Sequence, residues 1–513
     1  MKILLLISPL LLFALLILDF ISGNPPPAVL TIILVMYIVI FVIPGLIFIN
    51  HKKEPLLATH SANKIFMVGL LLYAGIFIVI QVMLYNSYNI LMCKDTVIYA
   101  QTLWNTLHPG RFMYNSVVGT SHFSSHIQPI LFLILPIYAL FKSSLLLIIL
   151  KNVLIIFSVI PIYLIARKKI CNLGALFAAA TYLFMPVINN TFYYGFKPIL
   201  LAPFFLNYLL YFSITKKAPQ YYLFLALTLI CREDMPLFTI VLGILIIFQN
   251  KEFKRGGLTV CVSVAVICLY LLVIKPAYKF QSPIESQLQH SSQFLKTDYK
   301  LSDMATTNKI HTFGLYLLPM GIILPFLSGA FLPALPHLLG MIVMNDPISI
   351  LSSDHYYLLA PAGVLFISVI IALGRFKPRK ALSILYILMT LSLFLSIRGT
   401  MYMGLRGISR SYFTDLDRSL INGAISSIPE DSSVIGPRYI LAHIPNQRIV
   451  LPLEFTTSLD DINYIIIDET TRHATTRNAA RRPLFNDLKK NHDFLLSYDN
   501  SGLKIFRRSN VNE

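Results

Sequence analysis

Residues able to do chemistry gather in four polar segments set between apolar runs. In one of them, Cys231-Arg232-Glu233-Asp234-Met235-Pro236, three charges interrupt an apolar stretch from Tyr222 to Phe248. Charges at membrane depth are costly and face a cavity or each other. A plain hairpin turn accounts for one or two of them, and three in so short a turn favour a functional cluster. The segment 87–126 holds Lys94, Asp95, the single tryptophan, Trp104, and the pair His122 and His126. Asp95 follows an apolar run, so it is either a solvated acid at a helix start or a general base at the membrane surface. Two histidines four apart share a face if helical and could ligate a metal; a Ser-rich loop suits them equally. The third segment is Tyr193-Tyr194-Gly195-Phe196-Lys197-Pro198, a tight aromatic loop between two short helices, which an interfacial aromatic belt would also produce. The fourth runs from Asn345-Asp346-Pro347 to Asp354-His355-Tyr356-Tyr357, a polar and aromatic lip suited to a phosphate, a sugar or an interfacial anchor. A longer basic loop at 276–311 is either a lid over a lipid phosphate or a solvated loop.

Several chemistries are missing from the sequence. There is no Walker Gly-rich loop, no Gly-x-Ser-x-Gly elbow and no His-Glu-x-x-His zinc motif. No span carries the Arg ladder of a voltage sensor, and the two halves do not repeat in hydropathy as many transporters do. The five cysteines show no Cys-x-x-Cys spacing, which points to free thiols rather than a disulfide framework.

The elements that must position these residues are membrane spans. The chain is 56% hydrophobic and 13% charged, unlike a soluble globular protein. A bilayer span needs about 20 apolar residues. Long runs occur at 3–22, 28–50, 65–86, 144–166, 257–275, 357–374 and 380–398, with shorter ones at 173–190, 198–215, 220–232, 235–249, 312–328 and 330–344. Basic clusters at Lys52-Lys53, Arg167 to Lys169, Lys216-Lys217, Lys251 to Arg255 and Arg375 to Lys380 all fall inside when the amino terminus is cytoplasmic. The run 127–141 is then a half-inserted or surface helix, and about 13 crossings place the carboxyl tail outside. The net charge of +18 fits this reading: residues 1–398 hold 28 basic and 11 acidic side chains, residues 399–513 hold 14 and 13. The excess is a topology signal, not a nucleic-acid footprint, and the expected surroundings are membrane lipids with no nucleic acid. From about Gly399 the patterning is that of a soluble α/β domain, with an amphipathic helix at 414–427, strands near 433–436, 448–453 and 464–468, and a hairpin-like pair at 494–507. The expected division is a two-span extension at 1–64, a membrane domain at 65–398 and an extracytoplasmic domain at 399–513.

The blocks KDTVIYAQTLWNT, SHFSSHIQPILFLILPIYALF, FMPVINNTFYYGFKP and CREDMPL, with a later GLYLLPMGIILPFLSGAFLPALPHLLG and a tail segment IPEDSSVIGPRYILAHIPNQRIVLPLE, resemble the membrane family called domain of unknown function 2079. The resemblance covers roughly residues 70–470, and that family is similar to glycosyltransferases of the C-type membrane fold (GT-C). It implies a polytopic α-helical GT-C-like protein, a polyprenyl-phosphate sugar as donor, and a glycan, lipid or protein as acceptor outside the cytoplasm. It also implies an Asp in the first external loop as the catalytic residue, here Asp95. The family's Lys-Glu-Asp block corresponds to Arg232-Glu233-Asp234, and its Ser-His-Phe histidine to His122. Lys94-Asp95 replaces the Asp-Glu doublet of some protein mannosyltransferases. On that basis Asp95 is the expected base and Arg232 the phosphate partner. Glu233 and Asp234 would orient Arg232 or bind hydroxyls. Lys94, Trp104, His122, His126, Tyr194, Lys197, His355 and Tyr356 are the expected lining of the substrate cavity. Loop acids and histidines would allow a divalent metal, but nothing requires one. A transporter or flippase of a lipid-linked precursor is the other class, and a non-enzymatic assembly factor the third.

Overall fold

In the computed structural model the described residues are 43–51, 57–88, 95–279, 313–343, 355–396, 418–453, 459–469 and 493–509. The first expected span, Lys94, most of the 276–311 loop and the side chains of His355 and Tyr356 lie outside them. The helices run α1 (Ile43–His51), α2 (Thr59–Asn86), α3 (Thr96–Thr106), α4 (Ile130–Phe141), α5 (Ser144–Phe157), α6 (Val159–Lys169), α7 (Asn172–Leu183) and α8 (Pro186–Phe192). They continue with α9 (Ala202–Thr215), α10 (Ala218–Leu229), α11 (Met235–Asn250), α12 (Phe253–Leu269), α13 (Leu335–Val343), α14 (Leu359–Leu373), α15 (Pro378–Ser396) and α16 (Arg418–Ile425).

Among the described residues, five helical stretches are long and apolar enough to cross a bilayer, six if the bent pair α7–α8 is one span. Shorter apolar helices, α4, α11 and α14 among them, fill the bundle beside these. The helix α14 is buried along almost its whole length, as an all-apolar helix must be when it occupies the centre. The outer helices α2 and α12 instead turn Leu71, Leu72, Leu258 and Val264 outward, where lipid would cover them. The expected spans at 312–328 and 330–344 do not form as such. From Leu318 to Ala334 the chain is a series of 3₁₀ turns, Leu318–Met320, Leu324–Leu327 and Gly329–Ala334. Pro319, Pro325 and Pro333 each remove a backbone donor from this stretch, so a continuous helix cannot close. Residues 313–317 and α13 are the α-helical parts of this region.

Pro186 bends α7 away from α8 by 53°. The carbonyls it frees are answered from three helices, as buried backbone requires. Leu183 O accepts from Tyr73 Oη (2.8 Å) and Asn189 Nδ2 (2.8 Å), Met185 O from Asn189 Nδ2 (3.2 Å), and Phe184 O from Ser396 Oγ (2.6 Å). A kinked helix pair is thereby fixed rather than loose.

Outside the bundle, β1 (Tyr114–Asn115) and β2 (Thr120–Ser121) form a small hairpin after α3. The tail carries β3 (Ser433–Gly436), β4 (Ile449–Pro452), β5 (Tyr464–Asp468), β6 (Phe494–Asn500) and β7 (Leu503–Arg508). Their order is β4-β3-β5-β7-β6, with the first three parallel and the last two antiparallel. The three strands and the final pair expected from the sequence are all present. Tail residues Ile421, Tyr439 and Ile440 share one apolar cluster with Leu84, Tyr85, Tyr88, Val97, Ile148 and Tyr193, so the sheet domain sits on the ends of α2, α3 and α5.

Candidate active site

Asp95 stands at the N-terminal end of α3 but makes no cap hydrogen bond to it. Its carboxylate is paired instead with Lys197 Nζ at 2.9 Å, both side chains about a fifth exposed. Beside this pair, Phe196 N donates to Thr96 Oγ1 at 2.8 Å, so the third segment is stitched to the first turn of α3.

One turn along α3, Tyr99 shares the face of Asp95. Burial, and after it the Asp95 charge, push its phenol well above the usual tyrosine range, while Gln128 and Arg232 pull the other way. Tyr99 therefore stays neutral, and its ring lies edge-on to those of His122 (5.2 Å between centroids) and Phe196 (5.6 Å), between the two charged groups.

Arg232 and Asp234 form a two-pronged pair through Nε and Nη2, with Nε at 2.7 Å. The carboxyl of Asp234 resists ionisation through burial, but the adjacent Arg232 and then His337 hold it well below the usual carboxylate range. His337 Nδ1 lies 3.4 Å from Asp234, and its Nε2 donates to Tyr357 O at 2.8 Å. The guanidinium of Arg232 lies over the Tyr357 ring, 5.4 Å from its centroid. Glu233 turns the other way: its two oxygens accept from His126 Nδ1 and Ile127 N, each at 3.0 Å. The Arg-Glu-Asp turn thus ties the segment 95–126 to α13 and to the residues just before α14.

His122 is buried. Asn115 Nδ2 donates to its Nδ1 (3.2 Å), and its Nε2 donates to Gln128 Oε1 (3.0 Å). Burial pushes its imidazole down to about 4, so it is neutral near pH 7. This geometry does not suit the metal that the histidine pair would allow. Both nitrogens of His122 are engaged, His126 is held by Glu233, and the two ring centroids are 6.3 Å apart. Among the described residues no group of three His, Cys, Asp or Glu side chains gathers as a metal site would need.

Of the expected residues, Asp95, Lys197, Arg232, Glu233, Asp234, His122 and His126 come together. Trp104 does not join them: it is buried against His108 and lies 5.2 Å beneath Lys142 Nζ, toward the tail domain. Tyr194 is buried and meets the bundle through its carbonyl. His355 and Tyr356 belong to a short 3₁₀ turn, His355–Leu358. Tyr99, Gln128 and His337 are the residues the sequence reading missed; Tyr357 closed the fourth segment. The spacing of Tyr99 from Asp95 was the one available signal for it, and for His337 it was a histidine inside an apolar run.

A family signature described as a predicted membrane protein, DUF2079, matches residues 80–505. The chain belongs to the DUF2079 family. No curated protein sequence matches it. Among solved structures, this DUF2079 protein is similar to ArnT from Cupriavidus metallidurans bound to undecaprenyl phosphate, with 11% identity and a TM-score of 0.50 over 85% of this chain and 97% of that one. The apo form of that ArnT gives 10% identity and a TM-score of 0.47 over 86% and 98%. An Archaeoglobus fulgidus oligosaccharyltransferase, in complex with zinc and sulfate, gives 14% and 0.38 over 77% and 67%. The DUF2079 chain has the GT-C membrane fold with a C-terminal sheet region.

Proposed function

We propose that this protein is a membrane glycosyltransferase that moves a sugar from a polyprenyl-phosphate donor to an acceptor hydroxyl at the extracytoplasmic face. The observation that carries the reading is the gathering of the Asp95–Lys197 pair and the Arg232–Asp234–His337 group around Tyr99. Sugar transfer from a lipid phosphate needs a base for the acceptor hydroxyl, and Asp95 is that base. It also needs cations where charge builds on the leaving phosphate, and Lys197 and Arg232 supply them. A single displacement with inversion uses one base and forms no covalent intermediate. A sugar linked to undecaprenyl phosphate, the lipid bound by the similarly folded ArnT, is the donor class to try first. The same reading puts the amino terminus in the cytoplasm, the site and tail outside, and domain boundaries near residues 64 and 398.

The deciding experiment is Asp95→Asn in purified protein. Turnover should fall by a factor of about a thousand, in line with loss of a general base, while polyprenyl phosphate still binds and co-purifies by mass spectrometry. A variant that keeps wild-type turnover removes Asp95 from this role. Wild-type protein that carries only bulk phospholipid and transports a lipid-linked precursor without sugar transfer moves the reading to a transporter.

A further inference from the structure

Lys151 lies in the middle of α5, in the run SLLLIILKNVLIIF, and is fully buried. A cation inside an apolar bundle persists where it supplies hydrogen bonds that nothing else can supply. Among the described residues it has no carboxylate partner. Its Nζ donates instead to Thr191 O at 2.7 Å and Tyr194 O at 2.5 Å. Thr191 is in the last turn of α8, at the negative end of the helix dipole, and its carbonyl also accepts from Tyr194 N at 3.3 Å. Lys151 therefore bridges the end of α8 to the turn that follows it, from inside the bundle. Three residues beyond Tyr194 the chain reaches Lys197, which pairs with Asp95. Between them, Phe196 N reaches Thr96 Oγ1. The turn is held from below by Lys151 and from the side by the start of α3.

We propose that Lys151 is a positioning residue: it fixes the end of α8 and the following turn so that Lys197 stands against Asp95. Without its Nζ the bridge between the Thr191 and Tyr194 carbonyls is lost, the turn loosens, and Lys197 shifts with it. The importance of that placement for turnover rests on the function proposed above; the placement itself does not.

The test uses the full chain with Lys151→Met, which keeps the length and apolar stem, and Lys151→Arg, which keeps the charge. Hydrogen exchange of the amides at 193–197 is the first readout. In Lys151→Met it should speed up by about tenfold or more, as local opening would give, with β3 unchanged and Lys151→Arg in between. Unchanged exchange at the turn overturns the proposal. So does acceleration spread equally through β3, which marks a general loss of stability. Sugar transfer is the second readout: Lys151→Met should lower kcat more than it raises KM, with Lys151→Arg restoring part of the loss. If the wild-type protein transfers no sugar, the proposed function fails while the exchange readout still decides the role of Lys151.

Discussion

Asp234 is held by both Arg232 and His337, and that makes it the least replaceable carboxylate of the group. Arg232 grips it through two nitrogens and His337 approaches from α13. Removing one partner of a buried pair leaves the other charge uncompensated. Asp234→Asn should therefore destabilise the protein by on the order of 3 kcal/mol, read as a lowered melting temperature in detergent. A melting temperature equal to wild type would mean Arg232 finds another partner. His122 gives a pH prediction. Its ring titrates near 4 when folded against 6.5 for a free imidazole, so between these values the unfolded chain binds the extra proton. Stability is then fully present above about pH 6.5 and falls as pH falls toward 4. From pH 6.5 to 5 the loss is about 2 kcal/mol, at ~1.4 kcal/mol per unit. His122→Gln can still accept from Asn115 and donate to Gln128, so its melting temperature should drop less between pH 7 and 5 than that of wild type. An equal drop would mean His122 does not set the slope. His443, also pushed down to about 4 by burial, contributes the part that remains. The Arg232-Glu233-Asp234 turn was legible in the sequence because charge inside an apolar run breaks the pattern. Lys151 gives the same signal, but its run is long enough to be a span and so drew no notice. Gln128 is uncharged and ordinary for a loop, and only the folded chain brings it to His122.

Helices in the bundle are joined by what their small residues permit. A β carbon on Gly256 would lie 2.6 Å from Gly243 O, and one on Gly243 would lie 2.9 Å from Gly256 O. The backbones of α11 and α12 are in contact there, and Thr239 and Ser263 share a hydrogen bond of 2.7 Å across the same pair. Close approach of this kind drives helix association where lipid removes the hydrophobic gain. Gly256→Val should force the pair apart and cost about 1–3 kcal/mol. Gly257→Val, one position along, meets nothing within 4 Å and should cost less than half as much in the same melting assay. Equal losses would show that helix propensity, not the crossing, is what the glycine supplies. Length and apolarity made most of these helices legible, and alternation made the tail strands legible. The stretch from Leu318 to Ala334 was misread because composition reports apolarity and not backbone donors. Proline is compatible with an apolar run and incompatible with the continuous helix that run suggests.

The tail domain is part of the site's scaffold, because its docking surface is the same segment, 95–126, that carries Asp95. Gln101 Nε2 donates to Ser116 Oγ (2.6 Å) and to Arg448 O (2.9 Å), and Val450 N donates to Ser116 Oγ (3.1 Å). Tyr85 and Tyr88 both lie against the His443 ring, 4.1 Å between centroids, and Tyr85 Oη donates to Ala442 O. Arg111 pairs with Asp431 at the rim. These contacts separate into buried and exposed kinds, and they should not count equally. Exposed ion pairs contribute little, because solvent already stabilises both charges. A buried amide whose removal leaves the Ser116 N–H without its acceptor costs more, about 1–3 kcal/mol. Gln101 is 1% exposed, whereas Asp431 has 38% of its side chain in solvent. Gln101→Leu should accordingly loosen the docked sheet, seen as faster hydrogen exchange along β4, where Val450 meets Ser116. Arg111→Ala should leave that exchange within about a factor of two, as a pair of this exposure allows. If Arg111→Ala speeds β4 more than Gln101→Leu does, the rim charge holds the domain and the buried amide only fills space. The expected order instead makes α3 a shared beam, with Asp95 and Tyr99 facing the site at one end and Gln101 and Asn105 holding the tail domain at the other.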